Sequence, residues 1–122
     1  MMKVYRLECT LDGQGPWRSD YQPAWVDRVI RRPNGHPRPV PHDEGLGMTD
    51  RDVCGCRSLR QLAEWFTVAG LREFLADEYH IKVYDVPDDT VAVGDRQLVF
   101  CPDNARAVWA LDVKAKVKAC YA

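Results

Sequence analysis

What this chain lacks bounds what it can be. No apolar run approaches the ~18 residues that a membrane-spanning helix needs. The first residues hold no apolar core of an export signal, so we expect a cytoplasmic protein with no membrane partner. Neither sign of charge dominates: 17 basic residues stand against 18 acidic ones, a formal charge of -1. That balance argues against a uniformly basic nucleic-acid module and against an acidic disordered tail. At 122 residues the chain has room for one domain, 1–122, and no internal repeat divides it. Common catalytic signatures are missing too. There is no G-x-x-x-x-G-K-[ST] phosphate loop, no H-E-x-x-H and no G-x-S-x-G.

The five cysteines, Cys9, Cys54, Cys56, Cys101 and Cys120, are an odd and scattered set. They suit a reducing compartment better than a disulfide framework. Cys54 and Cys56 form C-G-C without a second ligand pair at zinc spacing, so no metal is expected and the cysteines read as small buried hydrophobes.

Periodicity predicts an α+β fold: a small, mostly antiparallel twisted sheet or sheets, a helical hairpin and a long proline-rich loop. Residues 3–11 read as a central strand closing at Asp12-Gly13, followed by a glycine-rich loop that ends at Trp17. Residues 23–30 suit a short helix, with Pro23 in its first turn. Four of the eight prolines fall in 31–47, which forbids regular structure there. Arg28, Arg31, Arg32, His36 and Arg38 make this the most basic stretch, a surface loop or an anion-contacting arm. Residues 52–57 suit a short strand or turn.

Ser58 with Gln61 has capping-box spacing and opens a helix through Phe66. Gly70 punctuates it, and a second helix follows over 71–79. Residues 81–87 read as a strand, with His80 at its start. Gly94-Asp95 separates two apolar runs as a hairpin over 91–100. Pro102 opens a short helix through Trp109. The tail 111–121 alternates as an edge strand with lysines on its outer face.

Three positions carry a resemblance. Arg6 lies in VYRLE on the first strand, Ser58 in CGCRSL before a helix, and Gln97 in RQLVF on a later strand. This order resembles the ADP-ribosyltransferase superfamily in its minimal form. The framework VYRLE, GxGPW, CGCxSLxQLxxWF, VYxVP and GxxQLVF also looks like short proteins of bacterial viruses and prophages. The resemblance implies an ADP-ribosyltransferase-like fold with NAD as cofactor. Arg6 would hold the pyrophosphate, since a guanidinium pairs bidentately with phosphate. Ser58 would orient the nicotinamide ribose, and Trp17, Tyr21 or Trp25 would stack on the nicotinamide. The sugar turns cationic and oxocarbenium-like, and the active families meet it with a glutamate on the later strand. This chain offers Gln97 and Asp95 there instead, so it departs from the pattern where charge matters most. The implied acceptor is a host protein, with nucleic acid as the other option.

A second reading belongs to a different class. A small cytoplasmic phage protein can inhibit a host defence complex, as anti-CRISPR proteins do, by covering its surface without catalysis. Four tryptophans and five tyrosines supply anchors for such an interface. The basic loop and the acidic group Asp85, Asp88, Asp89 and Asp95 supply charged patches. A third reading is a self-associating accessory protein that pairs through the tail strand.

Overall fold

A computed structural model describes residues 1–16, 18–26, 46, 49 and 51–108. The first apolar alternation becomes strand β1, Met2–Cys9. It pairs antiparallel with β3, Tyr79–Val86, along its whole length, from Met2 opposite Val86 to Cys9 opposite Tyr79. Strand β6, Arg106–Val108, adds to the other side of β3. Among the described residues β3 is therefore the centre of this sheet, and β1, expected there, takes an outer place. A second sheet has the order β2–β5–β4, with β2 at Val53–Gly55, β4 at Ala92–Val93 and β5 at Leu98–Phe100. The two sheets meet along β1, where Tyr5 and Cys56 exchange backbone hydrogen bonds of 2.8 Å each. The α+β class and the antiparallel pairing agree with the expectation.

Helix α1, Leu59–Leu75, begins at Ser58, whose hydroxyl accepts from the Gln61 amide at 3.1 Å. Gln61 Oε1 accepts from the Arg57 amide at 2.8 Å, so the cap is reciprocal. Leu59, Leu62, Ala63 and Phe66 then face inward at spacings of three and four. The break between the two helical segments lies at Thr67 rather than at Gly70. Thr67 has φ 63° and ψ 160°, a conformation costly for a β-branched residue. Its hydroxyl accepts from the Gly70 amide at 3.0 Å and so caps the second segment. Gly70 lies inside that segment and is buried. The second segment stops at Leu75, four residues before the expected end, because Tyr79, Ile81 and Val83 alternate as the inner face of β3.

Two apolar clusters follow from the pleat. Leu7, Cys9, Tyr79 and Ile81 point to one face of the first sheet and pack with Leu59, Leu62, Phe66, Leu71 and Phe74. Val4, Tyr84 and Val86 point to the other face and pack with Leu98 and Phe100 of the second sheet. The 91–100 hairpin is present, turning through Gly94–Gln97 with the Gly94 amide donating to the Gln97 carbonyl at 2.8 Å. The helix expected over 102–109 does not form. Pro102–Asn104 makes a single 3₁₀ turn, and Arg106–Val108 instead takes the free edge of β3, whose ladder offers longer pairing than one isolated turn. Residues 24–26 are helical, in keeping with the start of the short helix expected at 23–30. The rest of that helix, the proline-rich loop and the tail strand lie outside the described residues.

Candidate functional site

Register places five polar side chains on the sheet face that carries Val4. Arg6 lies opposite Lys82, Glu8 opposite His80, and Tyr84 opposite Val4. Residues directly opposite in an antiparallel pair share a face. The Arg6 and Glu8 side chains are only 8% and 5% exposed. Polar residues alternating along a strand suggest a solvated face. Here the glycine-rich loop and the second sheet bury it.

Glu8 organises the group. Its Oε2 accepts from the Tyr84 hydroxyl at 2.5 Å and lies 3.5 Å from Arg6 Nε. Its Oε1 faces His80 Nε2 and Lys82 Nζ, each at 4.0 Å. The 3.5 Å approach is an ion-pair contact only. Arg6 Nε is buried without a hydrogen-bond acceptor among the described residues. Lys82 Nζ also stands 5.5 Å from the centre of the Tyr84 ring. Burial lowers the Arg6 guanidinium from its ordinary range, against the opposite pull of Glu8. Burial likewise lowers His80, again against Glu8, so its imidazole is neutral at pH 7. Burial and then the Glu8 hydrogen bond raise Tyr84, whose hydroxyl stays protonated well into the alkaline range.

The glycine-rich loop passes over Arg6. A Cβ built on Gly15 would lie 3.5 Å from Arg6 Nη1 and 3.6 Å from Nη2. Asp12 shapes this loop by accepting from the Gln14 amide (3.0 Å), the Ser19 hydroxyl (2.9 Å) and the Asp20 amide (3.0 Å). Asp77 ties down the chain that follows, accepting from the Tyr21 hydroxyl at 2.7 Å and from Trp25 Nε1 at 3.0 Å. The Gln14 amide holds Asp12 below the ordinary carboxylate range, and the Tyr21 hydroxyl does the same for Asp77. A depressed folded pKa contributes stability above the ordinary carboxylate value, and that stability is lost as pH falls through the folded one. Amide exchange of Gln14 and Asp20, corrected for intrinsic rates, should therefore speed up as pH drops below about 4. Asp12→Ala should show the faster exchange at neutral pH.

The remaining residues singled out in the sequence sit elsewhere. Ser58 is exposed and caps α1. Asp95 is exposed in the β4–β5 turn, and its carbonyl accepts from Gln61 Nε2 at 3.3 Å. Trp65 Nε1 donates to the neighbouring Arg96 carbonyl at 2.9 Å. Gln97, 1% exposed, directly precedes β5. Alternation turns it away from the side that Leu98 and Phe100 present to Val4. Gln61 thus links the Ser58 cap to the Asp95 carbonyl at the start of α1, while Arg6 lies with Glu8 and Tyr84. Tyr21 packs on Tyr79, ring centres 6.3 Å apart, and Tyr79 points to the helix-bearing face opposite Arg6. Trp17 lies outside the described residues.

Sequence reasoning missed Glu8, His80, Lys82 and Tyr84 as companions of Arg6. The available signal was R-x-E on one strand, which puts both charges on one face. The pairing with β3 was not legible. No curated protein and no solved structure matches this chain. Residues 2–114 do match one family, and the chain belongs to it: the family described as Bacteriophage T4 Y00F protein, in keeping with a small phage-encoded protein.

Proposed function

We propose that the protein is an ADP-ribosyltransferase-like phage protein that binds NAD over Arg6 and acts on a host protein. The observation that supports this reading is the buried Arg6 guanidinium. It is covered by the Gly15 backbone, and its Nε lacks a hydrogen-bond acceptor among the described residues. A buried guanidinium whose Nε–H lacks an acceptor among the described residues suits a pyrophosphate, which guanidinium meets with paired hydrogen bonds. When bound, NAD supplies a nicotinamide–ribose bond that breaks with its electron pair leaving on nicotinamide, while an acceptor nucleophile bonds the sugar and releases a proton. Glu8 then provides the negative charge that Gln97 does not, held in place by Tyr84. Ser58 in this reading caps α1, whose Gln61 and Trp65 hold the turn before Gln97 through the Asp95 and Arg96 carbonyls.

Calorimetry with NAD tests it, combined with mass spectrometry of host proteins for an added ADP-ribosyl group. Wild type should bind and modify. Arg6→Lys, which keeps the charge and loses the fork, should bind at least about tenfold more weakly. A folded wild type that neither binds NAD nor modifies any host protein overturns the reading. Capture of one host defence complex, equally by wild type and Arg6→Lys, would then favour the non-catalytic inhibitor.

A further inference from the structure

The Nη end of the Arg6 guanidinium is covered by backbone rather than by a side chain. Gly15 lies over it, and even an added Cβ there would stand 3.5 Å from Nη1 and 3.6 Å from Nη2. Glycine presents nothing that interlocks with the cation beneath. The cover can therefore lift without unpacking a side chain of its own.

The segment 11–15 that carries this cover is held closed by polar contacts. Thr10 through Gln14 are exposed, Leu11 at 64%, so the tip buries no apolar side chain. Its ties to the chain that follows are hydrogen bonds. Asp12 Oδ2 accepts from the Ser19 hydroxyl at 2.9 Å and from the Asp20 amide at 3.0 Å. The Gly15 carbonyl accepts from the Arg18 and Ser19 amides at 3.0 and 2.9 Å. Water replaces such bonds when the tip lifts, so their net hold is modest. Few buried apolar contacts and solvent-exposed backbone hydrogen bonds mark a segment that opens locally, well below the free energy of global unfolding.

The flanks are fixed. On one side the Thr10 amide donates to the Glu78 carbonyl at 2.7 Å. On the other Pro16 is fully buried, and its carbonyl accepts from Gln22 Nε2 at 2.9 Å. Gly13, at φ 71°, supplies the left-handed turn at the tip. A short polar tip between two anchored ends has the form of a lid.

We infer that residues 11–15 are a lid latched by Asp12, and that its opening, rather than unfolding of the sheet, governs access to the Arg6 guanidinium. The closed form is the inhibited one. The inference rests on the NAD reading only for what enters; the lid itself is a statement about access to Arg6.

Labelling of the full chain with phenylglyoxal, an arginine-selective dicarbonyl, tests it. Mass spectrometry reads the rate at Arg6 against the rate at exposed Arg57. Wild type should label Arg6 slowly, at a rate nearly independent of urea below the unfolding transition, because a lid exposes little surface. Asp12→Ala should raise the Arg6 rate by at least about tenfold, the loss of one charge-assisted hydrogen bond, and leave Arg57 unchanged. Gly13→Ala meets no atom within 4 Å, yet alanine disfavours φ 71°. It should raise the Arg6 rate by about fivefold or more, independently of Asp12. Circular dichroism confirms that the variants fold, and Gly13→Ala carries the test if Asp12→Ala does not. A wild-type Arg6 rate that climbs with urea as steeply as global unfolding overturns the lid. So does an Arg6-to-Arg57 ratio that both variants leave unchanged. Calorimetry with NAD keeps the two readings apart. Labelling that follows the variants, without NAD binding, supports the lid and counts against the NAD reading. NAD binding with Arg6 labelled only through global unfolding overturns the lid.

Discussion

Gly55→Ala will lower the urea midpoint of unfolding by more than any exposed substitution in this protein. Strand β2 crosses β1 where the added Cβ would lie 2.5 Å from Val4 Cγ1, 3.3 Å from Phe100 Cε1 and 3.4 Å from the Tyr5 carbonyl oxygen. Val4 is fully buried and Phe100 nearly so, in an interior packed to near-crystal density. Overpacking of this kind costs about 1–3 kcal/mol, and more when backbone must move. Here the Tyr5–Cys56 bridge fixes the backbone on both sides, so we expect about 3 kcal/mol with an unchanged slope in denaturant. The cause is the pair, not the alanine alone. Val4→Ala costs its own cavity, yet it removes the atom that the new methyl strikes. The double variant should therefore lose less than the two single losses together, by about 1 kcal/mol or more in a double-mutant cycle. Additive losses would show that the close approach of β2 to β1 is not what Gly55 serves.

Glu8→Ala is the second large effect. It removes the carboxylate beside a guanidinium that is 8% exposed and takes away the acceptor of the Tyr84 hydroxyl. An uncompensated buried charge of this kind costs about 3–5 kcal/mol. Replacing both partners is much milder, since apolar groups of similar volume need no desolvated ion pair. Urea unfolding should rank Glu8→Ala well below the double variant Arg6→Met/Glu8→Met. The reverse order would mean that the pair is not energetically coupled. Tyr84→Phe should fall between wild type and Glu8→Ala, at about 1–2 kcal/mol, because it removes one donor and leaves no charge stranded. The Tyr84 contribution also has a pH window. Its folded pKa is raised, so it is present below the ordinary tyrosine value of 10.0 and lost as pH rises beyond it.

Legibility in the sequence followed the range of the interaction. The capping box at Ser58 and Gln61, the apolar stripe Leu59–Leu62–Phe66 and the alternation of Ile81 and Val83 depend on neighbours within four residues, and all three appear as expected. The break at Thr67 was missed because Gly70 is the stronger textual breaker, whereas a threonine hydroxyl can cap a new helical segment after a costly φ. Arg106–Val108 was misread because Pro102 does start a turn, and only the open edge of β3 makes the next residues extended.

The site divides along the same line. Arg6 stood out because its place in VYRLE carries the resemblance, and its phosphate chemistry belongs to the guanidinium. The sequence alone also determined that Arg6 and Glu8 share a face, since a strand repeats every two residues. Whether that face met water was a tertiary decision. The second sheet, anchored at Gly55, and the loop held by Asp12 bury it, and desolvation makes charges sensitive to their partners. Antiparallel register with a strand more than seventy residues away brought Lys82, His80 and Tyr84 to Glu8. Local periodicity carries no information about which strand will pair, so these companions of Arg6 could be found only in the folded chain.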